Sequence, residues 1–460
     1  MSRKPSLIAF LTFALVCSLS AAFQVKIVEA SGSIYIKADG SVDPLDAPIQ
    51  RNGDIYTLTG SISSDMYGIV IERNNMTLDG AGYTVQCMHA PSDHKGIYMS
   101  GISNVTIKNI KVKAFYYGIW LDNSHNNIIS GNSITASNRS GIYLYVSSNN
   151  KISGNNITAN NEYGICLVMS LDNNVSGNSL KIHDRGLYVY GGGYHVISGN
   201  NITSNKYGIW IDWTTQPRTG DHPVTITGNN ITSNGYGIIF YSSSRNKLYH
   251  NNFIDNTEQV NNSDSTNVWD NNYPSGGNYW SSYNGTDQYS GQGQDQPRSD
   301  GLGDNGYMIN GNNDRFPLMA PISIFDAGTW NDISYSVDVV SNSTVSDFYF
   351  NPDESAFLRF DVTGENGTLG FCRVTIPKDL LWVEDGWKVY LTWDYCIVQA
   401  NHTAITDEHC TYMYFTYNQS RKTVEIQGTH VIPEFPSFLI LPLFMTATLL
   451  AVIVYRLRNY

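Results

Sequence analysis

Between residues 68 and 240 the chain repeats one phrase, a glycine followed by apolar residues that alternate with aromatic or polar ones. It reads GIVI at Gly68, GIYM at Gly96, GIWL at Gly118, GIYL at Gly141, GICL at Gly164, GLYV at Gly186, GIWI at Gly208 and GIIF at Gly237. From Gly96 to Gly208 the steps are 22, 23, 23, 22 and 22 residues. The longer steps, 28 before Gly96 and 29 after Gly208, fit insertions within residues 87–95 and 213–222. A second phrase keeps the same beat: SGNSIT at Asn132, SGNNIT at Asn155, SGNSLK at Asn178, SGNNIT at Asn200 and TGNNIT at Asn229. Period-two apolar patterning over so few residues predicts strands, and the fixed step predicts a solenoid with two short strands and a turn per coil. One such coil cannot bury its apolar face alone, whereas stacked coils cover one another at roughly 4.8 Å per rung. The positions one and three residues after each glycine, from Ile69 and Ile71 to Ile238 and Phe240, are all apolar and are predicted to face inward. The column Asn132, Asn155, Asn178, Asn200, Asn229 is predicted to be a stacked amide ladder at a bend, satisfying turn backbone groups.

The pattern changes on either side of the repeat. Arg3 and Lys4 precede an apolar run over residues 7–19 and then Ser20, Ala21 and Ala22, the layout of a secretory signal peptide. Residues 437–455 form an uncharged apolar stretch closed by Arg456 and Arg458, long enough to cross a bilayer with the bulk of the chain outside. Residues 321–430 hold alternating segments at 335–340, 357–362, 371–376, 387–395, 412–417 and 423–426, the pattern of a β-sandwich. Between 276 and 317 Gly, Asp, Asn and Gln dominate, a composition usual for a disordered linker. The expected fold class is therefore all-β: a right-handed, single-stranded parallel β-helix, then a small β-sandwich and one C-terminal transmembrane helix. The expected domains are a signal peptide at 1–30, the β-helix at 31–270, a closing segment at 271–320, a sandwich spacer at 321–430 and an anchor at 431–460.

Composition narrows the function. A net charge of −12 with only 15% charged residues leaves no basic stripe to neutralise phosphates, so nucleic acid is excluded as a partner. Of six cysteines, Cys17 lies in the leader, Cys87 and Cys166 are isolated, and Cys372, Cys396 and Cys410 could supply one disulfide in an exported protein. Sequons at Asn156, Asn201 and Asn230 lie in the repeat, and more follow at Asn284, Asn342, Asn366, Asn401 and Asn418.

The GIYL and NNKISGNNIT rungs resemble the NosD-type periplasmic copper-binding and carbohydrate-binding, sugar-hydrolase β-helix repeat group of the pectin-lyase-like superfamily. The likeness runs over about residues 62–270 and implies the fold far more than a function. VIPEFPSFLILPLFM from Val431 resembles a PEF-CTERM archaeal sorting signal, which implies that the helix is exchanged for a lipid anchor.

Candidate chemistry follows from the columns. Tyr98, Trp120, Tyr143, Tyr188 and Trp210, with Cys166 among them, are predicted to point outward as an aromatic ladder suited to stacking sugar rings. The same rings serve equally as cross-rung cover for the sheet. Two residues before each glycine stand Arg139, Glu162, Asp184 and Lys206. Adjacent rungs would bring Glu162 and Asp184 to a spacing that suits a retaining glycosidase, while opposite charges along one column also make an ordinary solvated surface. Cys87, Met88, His89 and His94 combine thiolate, thioether and imidazole donors of the kind that suit copper(I). In DGLGD, Asp300 and Asp304 are candidate calcium ligands, without EF-hand spacing. The resulting expectation is an exported, membrane-anchored surface protein that binds polysaccharide or glycan; a polysaccharide lyase or glycosidase and a copper-binding protein are the alternatives.

Overall fold

The computed structural model describes residues 32–89, 93–216, 220–330, 332–352 and 356–431. These form two compact units, one comprising the chain up to Lys247 with Phe253–Val268, the other Leu248–Asn252 with the chain from Trp269. The expected leader and the apolar segment at 437–455 lie outside the described residues. Among the described residues no helix is long and apolar enough to cross a membrane.

The first unit is a parallel β-solenoid of the right-handed type. Each regular coil carries three strands rather than two, for example Ser140–Tyr145, Lys151–Ser153 and Asn156–Thr158. The second sequence phrase therefore contains two strands and the corner between them: Gly154, at φ 63°, turns the chain, and Asn155 follows it. Stacking is in register, with Ile119 on Ile142, Ile142 on Ile165, Ile165 on Leu187 and Leu187 on Ile209. The inward positions from Ile69 and Ile71 to Ile238 and Phe240 are all buried. Each fully buried aliphatic side chain contributes about 1.5–3 kcal/mol, which offsets the ordering of so many short strands.

The glycine that opens each first-sheet strand is fixed by close approach. A Cβ at Gly141 would lie 2.5 Å from Ile157 Cγ2 and 2.7 Å from the Gly164 carbonyl oxygen of the next coil. With the inward position filled by nothing larger than hydrogen, the preceding residue is released to the outer face. Tyr117, directly before Gly118, accordingly packs against Trp120 with ring centroids 4.3 Å apart.

Among the described residues three buried ladders of asparagine and histidine bind the corners where one was expected, and Ser124, Ser147 and Ser170 make a further one through their hydroxyls. The expected one runs Asn132, Asn155, Asn178, Asn200, Asn229: from Asn155 onward each Oδ1 accepts the backbone N–H and side-chain Nδ2–H of the asparagine one coil earlier, and Asn132 Oδ1 accepts the Ile110 N–H. A second runs Asn127, Asn150, Asn173 and then His195, whose Nδ1 accepts the Asn173 N–H at 3.1 Å. The third runs Asn160, His183, Asn205, Asn234, Asn256, again with histidine in an asparagine's place.

In the second unit, two five-stranded antiparallel sheets face each other across one core. One has the order Ile322–Trp330, Ile333–Ser341, Leu369–Pro377, Cys410–Asn418, His402–Thr406; the other has Thr344–Phe350, Phe357–Thr363, Lys422–Gln427, Lys388–Trp393, Cys396–Gln399. Val337, Val374 and Phe415 of the first sheet and Leu358, Phe360 and Val424 of the second are among the core residues. The Gly- and Asp-rich stretch before the sandwich is ordered, contrary to its composition, because Leu302, Phe316 and Leu318 give it a small core. Two short hairpins, Tyr289–Ser290 with Gln296–Pro297 and Tyr307–Ile309 with Asn312–Asp314, add backbone pairing. The anticipated disulfide is absent: Cys372, Cys396 and Cys410 are free thiols, with Cys372 in the core.

Candidate functional site

The outer face of the first sheet concentrates aromatic rings, and its layout departs from the expected exposed ladder. Tyr98, Trp120, Tyr143, Tyr188 and Trp210 are only partly exposed, and Cys166 is 1% exposed. They are covered by the residues that precede each glycine, a column reading Tyr67, Lys95, Tyr117, Ser140, Tyr163, Arg185, Tyr207, Tyr236. Cations seal two clusters. Lys95 Nζ lies 4.4 Å from the Trp120 ring centroid, 4.9 Å from Tyr67 and 5.2 Å from Tyr98, and pairs with Asp93 at 2.9 Å. The Arg185 guanidinium lies 4.4 Å from the Trp210 ring, 5.3 Å from Tyr163 and 5.4 Å from Tyr188. Such contacts are worth about 0.5–2 kcal/mol each and hold the rings still. Burial raises the Tyr143 and Tyr188 hydroxyls above the ordinary phenol range and raises the Cys166 thiol. Tyr188 donates its hydroxyl to Asp212 Oδ2 at 3.0 Å, and burial holds the Asp212 carboxyl above its usual range.

The exposed margin of this face lies four and five residues after each glycine. Tyr145 is 39% exposed, Met169 52%, Trp213 47% and Tyr241 48%, with Val146 beside Tyr145. At the fifth position the backbone is left-handed in each of six coils: Asn123, Val146, Met169, Gly191, Trp213 and Ser242 have φ of 44°, 49°, 48°, 62°, 57° and 47°. Asparagine and glycine adopt this conformation readily, whereas a β-branched or bulky residue there is strained. Val146, Met169 and Trp213 thus place large apolar groups at solvent-facing positions where the backbone favours small ones. Sequence reasoning passed over this column because it follows the strand; the 22-residue beat marks it all the same.

The expected catalytic pair is neutralised by neighbours. Glu162 Oε2 accepts from Arg139 Nε at 3.2 Å, while Asp184 pairs with Arg185 at 3.2 Å and with Lys206 at 3.5 Å. Both carboxylates are thus ion-paired and partly exposed on the outer surface of the solenoid.

The soft donors near residue 88 do not assemble a copper centre. Cys87 Sγ donates to the His89 carbonyl oxygen at 3.0 Å, and burial raises its thiol, disfavouring the thiolate a metal would need. His89 Nδ1 is engaged with Asp65 at 3.1 Å, Met88 projects outward, and His94 packs edge-on against Tyr67 at 6.0 Å. Among the described residues no three His, Cys, Asp or Glu side chains are grouped as metal ligands. Calcium fits no better. Asp304 is surrounded by donors, accepting from the Gln288 and Tyr289 N–H groups and from Thr286 Oγ1. Asp300 Oδ1 accepts the Leu302 N–H, and Asp287 accepts the N–H groups of Asp300 and Gly301. Asp304 and Asp287 are thus bound to N–H and O–H groups, while Asp300 Oδ2 is buried without a hydrogen-bond partner among the described residues.

The family described as periplasmic copper-binding protein (NosD) matches residues 49–217 and 219–285, which take in most of the coils and the start of the closing segment. The chain belongs to the NosD family. Among solved structures, this NosD-family chain is similar to a mutant of the periplasmic alginate epimerase AlgG, at 16% identity over 51% of this chain and 67% of that one, with a TM-score of 0.37. It is also similar to the enzymatically active domain of bacteriophage CBA120 tailspike protein 2, at 11% identity over 88% and 69%, with a TM-score of 0.40. A mutant tailspike of the E. coli bacteriophage HK620, in complex with a pentasaccharide, matches at 11% identity over 93% and 91%, with a TM-score of 0.34. A comparison with curated proteins finds no match.

Proposed function

We propose that this NosD-family protein is exported, held at the cell surface by its C-terminal segment, and binds a polysaccharide chain along the margin of its first sheet. The reading rests on Val146, Met169 and Trp213, three large apolar side chains kept exposed at strained left-handed positions. Backbone strain of this kind costs on the order of 1–3 kcal/mol per residue and persists where the side chain has a use. Coils repeat at roughly 4.8 Å, close to the span of one sugar ring, so a linear glycan lying along the axis meets a similar surface at every rung. Tyr145 and Tyr241 offer ring faces with hydroxyl edges, and the half-buried rings beneath form a rigid backing. Rigid aromatic platforms lose little entropy on binding. Binding without turnover is the better reading, because Glu162 and Asp184 are ion-paired. The family's copper description finds no matching ligand set among the described residues.

A glycan array with the exported chain identifies a retained polysaccharide, and calorimetry then compares Trp213→Gly and Met169→Gly with wild type. Glycine relaxes the backbone at both sites, so each variant is expected to be as stable as wild type or about 1 kcal/mol more stable. Each is also expected to bind roughly tenfold more weakly. An array with no retained glycan, or variants that bind like wild type, would refute the proposal. No reducing-end or unsaturated product is expected, and turnover abolished by Glu162→Gln or Asp184→Asn would replace binding with catalysis.

A further inference from the structure

The sandwich in the second unit carries a recess that its reading as a spacer does not explain. A cavity of about 380 Å³ is lined by Trp330, Phe348 and Phe350 with Ala327, Gly328 and Asp326. That volume lies within the range of small-molecule sites. Its walls come from Ile322–Trp330 and Thr344–Phe350, the edge strands of the two facing sheets.

Both edge strands are irregular at this point. Ile322–Trp330 shifts register between Asp326 and Gly328, and Thr344–Phe350 shifts between Ser346 and Tyr349, with Asp347 left-handed at φ 51°. Bulges re-aim side chains, and two on facing edges concentrate the rings at one opening. Gly328 has φ 109°, and a Cβ there would lie 2.3 Å from Trp330 Cη2, so the indole rests directly on the bulge. Phe350 meets Trp330 at 89° with centroids 5.8 Å apart, while Phe348 is stacked on Phe325 at 5.1 Å. Asp326 Oδ1 accepts the Gly328 N–H at 2.9 Å, which ties the carboxylate to the same bulge.

We infer that this recess binds an organic ammonium group, quaternary or N-methylated. Among the described residues the lining supplies four aromatic side chains, Trp330, Phe348, Tyr349 and Phe350, and one carboxylate, and it contains no lysine, arginine or histidine. Aromatic faces carry negative quadrupole potential and need no hydrogen bond from their guest, which matches a cation whose charge is surrounded by methyl groups. A sugar would need several converging hydrogen-bonding side chains, whereas the described lining sets Asp326, Asn351, the Tyr349 hydroxyl and the Trp330 N–H among ring faces. The carboxylate adds the counter-charge that separates a cation from an uncharged guest of the same shape.

Saturation-transfer NMR and calorimetry on the full chain test this with choline, tetramethylammonium and the uncharged choline isostere 3,3-dimethylbutan-1-ol. The two cations are expected to bind saturably and the isostere at least tenfold more weakly. Asp326→Asn keeps the acceptor for Gly328 while removing the charge, and Trp330→Phe keeps an aromatic wall. Each is expected to weaken choline on the order of tenfold, with a melting transition like that of wild type. Absent binding, equal binding of the isostere, or choline binding unchanged in both folded variants overturns the assignment.

Discussion

His195 occupies an asparagine position in a buried ladder, and this ties the stability of the coil to acidity. Its Nδ1 must carry no proton in order to accept the Asn173 N–H, so the ring's single hydrogen sits on Nε2, a buried atom with no partner among the described residues. Burial alone drives the imidazole from 6.5 down to about 3, since no carboxylate is near enough to favour the cation. An unfolded chain takes up this proton near pH 6.5 and the folded one only near pH 3. The unfolded state therefore binds more protons throughout that window, and stability falls as pH falls through it. At about 1.4 kcal/mol per pH unit, the loss is roughly 3 kcal/mol at pH 4 and approaches 5 kcal/mol near pH 3. His183, in the parallel ladder and likewise lowered by burial, adds to the loss in the same direction. The assay is denaturant unfolding of the exported chain at pH 7 and pH 4, with amide exchange followed at Asn173 and Thr225. His195→Asn restores the amide chemistry of the neighbouring coils and should remove most of the pH 7 to pH 4 difference. Equal pH dependence in wild type and variant would show that the imidazole does not control this seam.

Three further outcomes follow from the packing. Asn178→Ala removes the acceptor of two bonds from Asn155 and the donor to the Ile152 carbonyl, leaving buried groups unpaired at a cost of roughly 3–5 kcal/mol, measurable by urea unfolding. Gly141→Ala drives a methyl into Ile157 and the Gly164 carbonyl, and should lower stability by about 3 kcal/mol or more, with loss of exchange protection centred on that coil. Burial pushes the Asp287 carboxyl up to about 7, so the folded state holds a proton that the unfolded state releases near 3.8; stability of the closing segment falls as pH rises between those values. Asp287→Asn should flatten that decline in melting curves taken from pH 5 to pH 8.

What the sequence disclosed and what it hid have separate physical causes. Inward isoleucines and leucines were legible because burial tolerates only apolar residues and stacking repeats the choice in every coil. The third strand was hidden, since two three-residue strands joined across an Asn-Gly corner carry one inward residue each, too little for periodicity to register. His183 and His195 were missed as ladder members, although they fall 23 and 22 residues after Asn160 and Asn173. Residue type masked a position that spacing marked. The aromatic column was read as open because nothing in the alternation reveals that the residue before each glycine swings outward to cover it; that follows from the close approach at the glycine. In the sandwich the central strands were found and the four edge strands were not: bulges interrupt the alternation of Ile322–Trp330 and Thr344–Phe350, while Cys396–Gln399 and His402–Thr406 are only four and five residues long.

Because the nearest neighbours of each glycine in the first sheet lie in its own coil and in the next one, the solenoid works as a ruler that can be cut or extended one graduation at a time. Duplicating a 22-residue unit would lengthen the molecule without asking any existing contact to change. Evolution can therefore adjust the reach of such a protein by copying, while the corners, where residues have been inserted after Trp213, remain free to acquire new surfaces.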